Sequence, residues 1–223
     1  MERLASGAHV RRTGPRDGLP VVCLSGGSAG VVTGDWGGSI ELLVGRLARR
    51  FPGMRFHEVR YRIKSWNRLE MCIEDAHAAL DAAADPRGRR TLLIGFSMGG
   101  AVAIGAAAHP TVGAVVGLAP WIPERLPVDT LWGRRLAVVQ GSLDGWLPGV
   151  PGISPASSRA GYERVASTGV PATYELLRGA IHPIALRAPW GALVPMPRAG
   201  AWEERVAEQL ERFRDEAQAE EAA

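Results

Sequence analysis

Thr91-Leu-Leu-Ile-Gly-Phe-Ser-Met-Gly-Gly-Ala-Val-Ala-Ile-Gly105 reads as an apolar strand, a sharp turn at Ser97 and an alanine-rich helix that runs on toward Ala108. A serine at such a turn is forced into a strained backbone geometry that lifts its hydroxyl out of the chain, and glycines two before and two after it let neighbouring elements approach. The helix beginning there aims its free N–H groups and the positive end of its dipole at any negative charge that develops beside the hydroxyl.

The five-residue pattern is short, and a second copy exists. Gly26-Gly27-Ser28-Ala29-Gly30 also follows an apolar run, Leu19 to Leu24, but it leads into Val31-Val32-Thr33-Gly34, which is β-branched and broken by glycine. Context therefore makes Ser28 a loop residue and Ser97 the turn serine.

A serine hydroxyl becomes nucleophilic only with a base, and the base needs an orienting carboxylate. Leu136 to Gln140 reads as a buried strand running into Gly141-Ser-Leu-Asp144, and Ala172 to Leu177 as another running into Gly179-Ala-Ile-His182-Pro183. Asp144 and His182 each fall just beyond a strand end.

The order Ser97, Asp144, His182 with these placements resembles the α/β-hydrolase superfamily, over roughly Pro20 to Phe213. The resemblance implies a mostly parallel central sheet with helices on both faces. It also implies Ser97 as nucleophile, His182 as general base and then acid, and Asp144 as the group that holds the imidazole tautomer. The oxyanion hole would take the backbone N–H of Met98 and a second N–H from the loop Ser25-Gly26-Gly27-Ser28, either Gly27 or Ser28. Many lipases and esterases start that loop with His-Gly, where this chain has Ser25-Gly26. In size the chain is also similar to dienelactone-hydrolase-like proteins. Those typically carry a cysteine nucleophile, so serine at position 97 favours a carboxylesterase-type reading.

Other readings compete for the same residues. Asp144-Gly145 is also a turn dipeptide. His109, in Ala108-His-Pro110, suits a helix-end contact, and His9, His57 and His77 lie in expected strands or a helix ahead of Ser97, where structural roles suffice. On the same fold the chemistry could be acyl transfer or a lyase or cyclase step. A non-catalytic binding protein would be expected to have lost a member of the Ser, Asp, His set, and all three are present.

Composition sets outer bounds. The 223 residues fit one domain over residues 1–214, followed by an acidic, alanine-rich end over 215–223 that is expected to fray. Cys23 and Cys72 sit in apolar stripes and read as buried thiols, compatible with a cytoplasmic setting. No secretion-like segment or membrane-length apolar run is present, and a net charge of +3 without a basic helix face argues against nucleic-acid binding. No metal or organic cofactor is implied. Of the 26 cationic side chains only Lys64 is a lysine, a bias of coding rather than of chemistry on its face.

Strands alternate with helices along the chain. Ile40, Leu43, Val44 and Leu47 form one helical stripe; Leu69, Cys72, Ile73, Ala76 and Leu80 form another, with Asn67 expected as its N-cap and Glu70 three residues on. Only Pro120 to Arg135 separates the strand after the Ser97 helix from the next, too little for a lid domain. Three loops then frame the site: Pro120-Trp121-Ile122-Pro123, Gly145-Trp146-Leu147-Pro148, and Pro183 to Pro197 with Trp190 and Leu193. Trp36, Trp121, Ile122 and Trp146 are the expected pocket for a small ester or thioester, with loop packing as the alternative for any one tryptophan. Arg62 and Lys64 leave a strand end, where solvation explains them more cheaply than a substrate anion does.

Overall fold

The structure is a computed structural model and describes residues 1–28, 30–145 and 152–222. Its strands are β1 (Glu2–Arg3), β2 (His9–Thr13), β3 (Leu19–Leu24), β4 (Val32–Thr33), β5 (Met54–Arg60), β6 (Ile63–Lys64), β7 (Thr91–Phe96), β8 (Val112–Leu118), β9 (Arg135–Gly141), β10 (Ala172–Leu177), β11 (Ala185–Arg187) and β12 (Leu193–Pro195). The helices are α1 (Gly38–Arg50), α2 (Leu69–Ala83), α3 (Met98–Gly105), α4 (Pro155–Ala166) and α5 (Ala199–Glu221).

Eight strands form one sheet in the order β1-β2-β5-β3-β7-β8-β9-β10. From β5 to β10 every neighbouring pair is parallel, while β1 and β2 pair antiparallel at one edge. The central strands β3, β7 and β8 are apolar almost throughout, as burial on both faces requires. Alternate residues supply two cores. Val22, Leu24, Leu93, Val115 and Val138 pack with α2, α3 and α4 residues such as Leu80, Met98 and Val165. Val21, Cys23, Ile94, Val116 and Val139 pack with Leu43 and Leu47 of α1 and Trp202, Leu210 and Phe213 of α5.

Chain order runs from β3 outward to β5 and then back across to β7. The loops after β3 and β7 therefore leave adjacent strands in opposite directions, the place where open parallel sheets form a crevice. The two cysteines are buried and free. Among the described residues no helix is long and apolar enough to cross a membrane.

Two local expectations change. Asn67 does not cap α2: Ser65 does the capping one turn earlier, its hydroxyl accepting the Asn67 N–H at 3.3 Å at the start of a short 3-10 turn, Trp66–Arg68, that feeds into α2. From Asp215, where fraying is expected, α5 stays helical through Glu221. Glu216 lies 3.1 Å from Arg135, Glu221 lies 3.7 Å from Arg89, and Ala217 packs on the α5 side of the sheet.

His57, on β5, is fully buried, and neither ring nitrogen has a partner among the described residues. Burial, then the charges of Arg55 and Arg12, lower its pKa from the ordinary 6.5 to about 3. Between those values the unfolded chain binds a proton that the folded chain does not. The contribution of His57 to stability is thus fully retained above about pH 6.5, falls as pH drops toward 3, and levels off below. His57→Leu, which removes the unpaired nitrogens at similar volume, should flatten that slope and raise Tm at pH 5; unfolding curves from pH 7 to pH 3.5 check this, and a wild-type slope in the variant would contradict it.

Candidate active site

Ser97 occupies φ 56°, ψ −118°, a region that side-chain-bearing residues rarely adopt. The surroundings hold it there. Ser97 N–H donates to Leu118 O at 2.9 Å, and Ser97 O accepts from both Gly100 N–H and Trp121 N–H. Gly95 and Gly99 permit the tight crossing: a Cβ on Gly95 would lie 2.1 Å from Gly99 O, and one on Gly99 would lie 2.3 Å from Leu24 O. The glycines of the motif are thus fixed by backbone packing of α3 on β7 and β3. Ser97 is 6% exposed at the N-terminus of α3.

His182 follows β10 and reaches Ser97, its Nε2 accepting from Ser97 Oγ at 3.0 Å. On the other side Nδ1–H donates to Asp144 Oδ2 at 2.7 Å. The phenyl ring of Phe96 lies 4.9 Å from the imidazole, tilted by 37°. Asp144 is buried and accepts two further bonds, from Gln140 Nε2 at 3.0 Å and from Ile153 N–H at 2.8 Å. Three residues from three separate loops therefore form one hydrogen-bonded line. With the proton on Nδ1 held by Asp144, Nε2 is left as an acceptor facing a serine hydroxyl, the arrangement that general-base activation of Ser97 needs.

The line opens into a cleft of about 270 Å³, lined by Gly26 and Gly27 on one side, Ile40 and Trp66 on another, and Ala185 and Leu186 of the β11–β12 ribbon. Gly27 is packed close: a Cβ there would stand 2.4 Å from Met98 Sδ and from the Trp66 ring. Ser28 turns its carbonyl to the Trp66 N–H at 3.1 Å and is not among the cleft-lining residues.

Of the residues expected to form the pocket, Trp36, Trp121 and Ile122 are not among those lining the cleft. Trp36 sits between Arg11 and Arg60, 4.5 and 5.7 Å from its ring, while the next residue, Gly37, packs closely against Ser25. Trp121 backs the cleft from behind Trp66, their rings 6.5 Å apart. Ile122 is buried under α4 against Gly161. Trp146, Leu147 and Pro148 lie outside the described residues. Trp190, at the tip of the β11–β12 ribbon, is exposed. Between β8 and β9 the chain makes only a short 3-10 turn, Asp129–Leu131.

Trp66, Gln140 and Ser39 were not foreseen from sequence. Gln140 had the clearest signal, a polar residue ending an apolar strand four positions before Asp144. Ser39, in the first turn of α1, accepts the N–H groups of Ile184 and Ala185 at 3.1 and 3.3 Å and donates to Ala185 O at 3.4 Å, tying the segment after His182 to α1. Nothing local to Ser39 announces that contact, which spans more than 140 residues of chain.

Similarity to solved structures extends over nearly the whole chain. A sugar hydrolase from Lactococcus lactis superposes with a TM-score of 0.70 at 14% identity, covering 94% of this chain and 96% of that one. An esterase from Pyrobaculum calidifontis gives 0.65 at 17% identity, covering 95% and 83%. An α/β serine hydrolase without a lid, from Xanthomonas campestris, gives 0.58 at 18%, covering 81% and 83%.

The chain has the α/β-hydrolase fold. At these identities the likeness carries the fold alone. No protein-family model and no curated protein sequence matches the chain. Within this α/β-hydrolase fold, the crevice at the switch point of the sheet coincides with the cleft at Ser97.

Ser39→Ala should leave the Ile184 and Ala185 N–H groups without their buried acceptor and destabilise the chain by about 1–3 kcal/mol, read from urea denaturation. An unchanged midpoint would show that the segment after His182 is held by other contacts.

Proposed function

We propose that the chain is a serine hydrolase that cleaves a small carboxylic ester, lactone or thioester through an acyl-Ser97 intermediate. The observation that carries this reading is the continuous line from Ser97 Oγ to His182 to Asp144, at 3.0 and 2.7 Å, opening on a cleft. That several structures of the same fold are described as esterases and serine hydrolases is in keeping with it.

In this reaction Ser97 Oγ attacks the carbonyl carbon while His182 Nε2 takes its proton. The imidazolium so formed is stabilised by Asp144, whose second oxygen stays anchored by the Ile153 N–H. Negative charge developing on the carbonyl oxygen is met by the Met98 N–H at the start of α3. Gly27 is the better second donor than Ser28, since Gly27 borders the cleft and Ser28 does not. His182 then gives the proton to the departing alkoxide or thiolate, and a water repeats the sequence on the acyl-enzyme. The cleft volume suits short acyl groups, and Trp66, Ile40 and Leu186 supply apolar contact.

Ser97→Ala should abolish both turnover of short-chain esters and labelling by a fluorophosphonate probe, while Ser28→Ala keeps labelling. Persistent labelling of the Ser97 variant would move the nucleophile elsewhere. Asp144→Asn should lower kcat by roughly 10⁴-fold with the fold intact by circular dichroism, because the imidazole loses the partner that fixes its tautomer. A rate close to wild type would mean that another group orients His182. Since His182 must be neutral to accept the Ser97 proton, kcat/KM should fall on the acid side of its pH profile; a flat acid limb would argue against the base role.

A further inference from the structure

Besides the imidazole of His182, one ionisable side chain is found among the described residues that line the cleft: Lys64. It closes β6, whose pairing with β4 sets Lys64 opposite Val32. Two residues on, Trp66 packs against Gly27 and donates its backbone N–H to Ser28 O, so the segment carrying Lys64 is fixed to the same loop that borders Ser97.

The ammonium has a partner, Asp35 Oδ1 at 2.7 Å, but the two halves of this pair face different surroundings. The lysine side chain is 16% exposed and borders the cleft, whereas that of Asp35 is 68% exposed. Asp35 lines a second depression instead, together with Glu41, Arg11, Arg60 and Arg187, where Arg11 and Arg187 are paired with Glu41. Water therefore screens the carboxylate, whose side chain is mostly exposed. An ammonium carries three N–H groups, and Asp35 takes one.

The neighbouring cation is differently committed. Arg62 is tied down by Asp75 at 2.6 Å, by Glu74 at 2.8 Å and by Met71 O. At this position bordering the cleft the cation is a lysine rather than an arginine. A lysine there supplies a compact point charge on a thin stem, where a guanidinium would fill more of a small cavity with its planar fork.

We propose that Lys64 is a specificity residue that selects esters bearing a carboxylate a few carbons from the scissile carbonyl, the carboxylate exchanging with Asp35 for the ammonium. This rests on the serine-hydrolase reading above and names the substrate class of that site.

The test compares kcat/KM for matched pairs at low salt. On the acyl side these are mono-4-nitrophenyl glutarate and its methyl ester; on the alcohol side, 4-acetoxybenzoate and its methyl ester. The wild type should prefer the anion in at least one pair by tenfold or more, about 1.4 kcal/mol, and added salt should reduce that preference. Lys64→Met should lower the anion-to-neutral ratio at least tenfold, mainly through KM, and Asp35→Asn should raise it by removing the competing carboxylate. No anion preference in either pair, or an unchanged ratio in Lys64→Met, overturns the inference. Fluorophosphonate labelling of each protein separates the two levels. Labelled protein without anion preference overturns only the role of Lys64, and a wild type that takes no label overturns the hydrolase reading as well.

Discussion

The backbone of Ser97 is the constraint from which the site follows. A serine at φ 56° is unfavourable by about 1–3 kcal/mol, and it persists only because α3 is pressed onto β7 and β3 through two glycines with no room for a side chain. The same crossing that imposes the strain lifts the hydroxyl to the crevice and points the N-terminus of α3 at it. Sheet order then brings the loop after β3 alongside. Strain, dipole and crevice are three results of one packing event.

Around that point the remaining groups are held by contacts of differing reach. Asp144 is fixed locally, by Gln140 at the end of its own strand and by the Ile153 N–H across the following loop. His182 is fixed at a distance, by Phe96 against its ring and by Ser39 of α1, which gathers the two N–H groups that follow Pro183. In the proposed reaction, a carboxylate accepting three hydrogen bonds and an imidazole bonded on both nitrogens would act as a preorganised base, with little reorganisation left for the moment of proton transfer.

The walls of the cleft follow a different logic from its floor. Glycines at positions 26, 27, 37 and 38 make one side almost without side chains, and Trp66, Ile40 and the β11–β12 ribbon supply the apolar remainder. Gly37 closes on Ser25, whereas Trp36 beside it in sequence stacks between Arg11 and Arg60 and is not among the residues lining the cleft. Trp121 acts one layer back, behind Trp66. Lys64 gives this otherwise neutral wall its one fixed positive charge among the described residues.

Sequence alone determined what depends on local periodicity and turn chemistry. The apolar runs at Leu19–Leu24, Thr91–Gly95 and Leu136–Gln140 read as buried strands, the stripe from Ile40 to Leu47 as a helix face, and Ser97 as a turn serine distinct from Ser28, because a strand and a helix flank only the former. The order of Ser97, Asp144 and His182 at strand ends was legible for the same reason. What only the tertiary structure decided were the contacts that cross the sheet or join distant segments: Ser39 to the chain after His182, Trp66 rather than Trp121 at the cleft wall, Trp36 turned away, and Ser65 in place of Asn67 at the entry to α2. The helical end of α5 belongs with these, since Glu216 and Glu221 reach Arg135 and Arg89 far away in sequence. A side chain's direction at a loop is set by which backbone closes on it, and a linear pattern carries the residue types but not that closure.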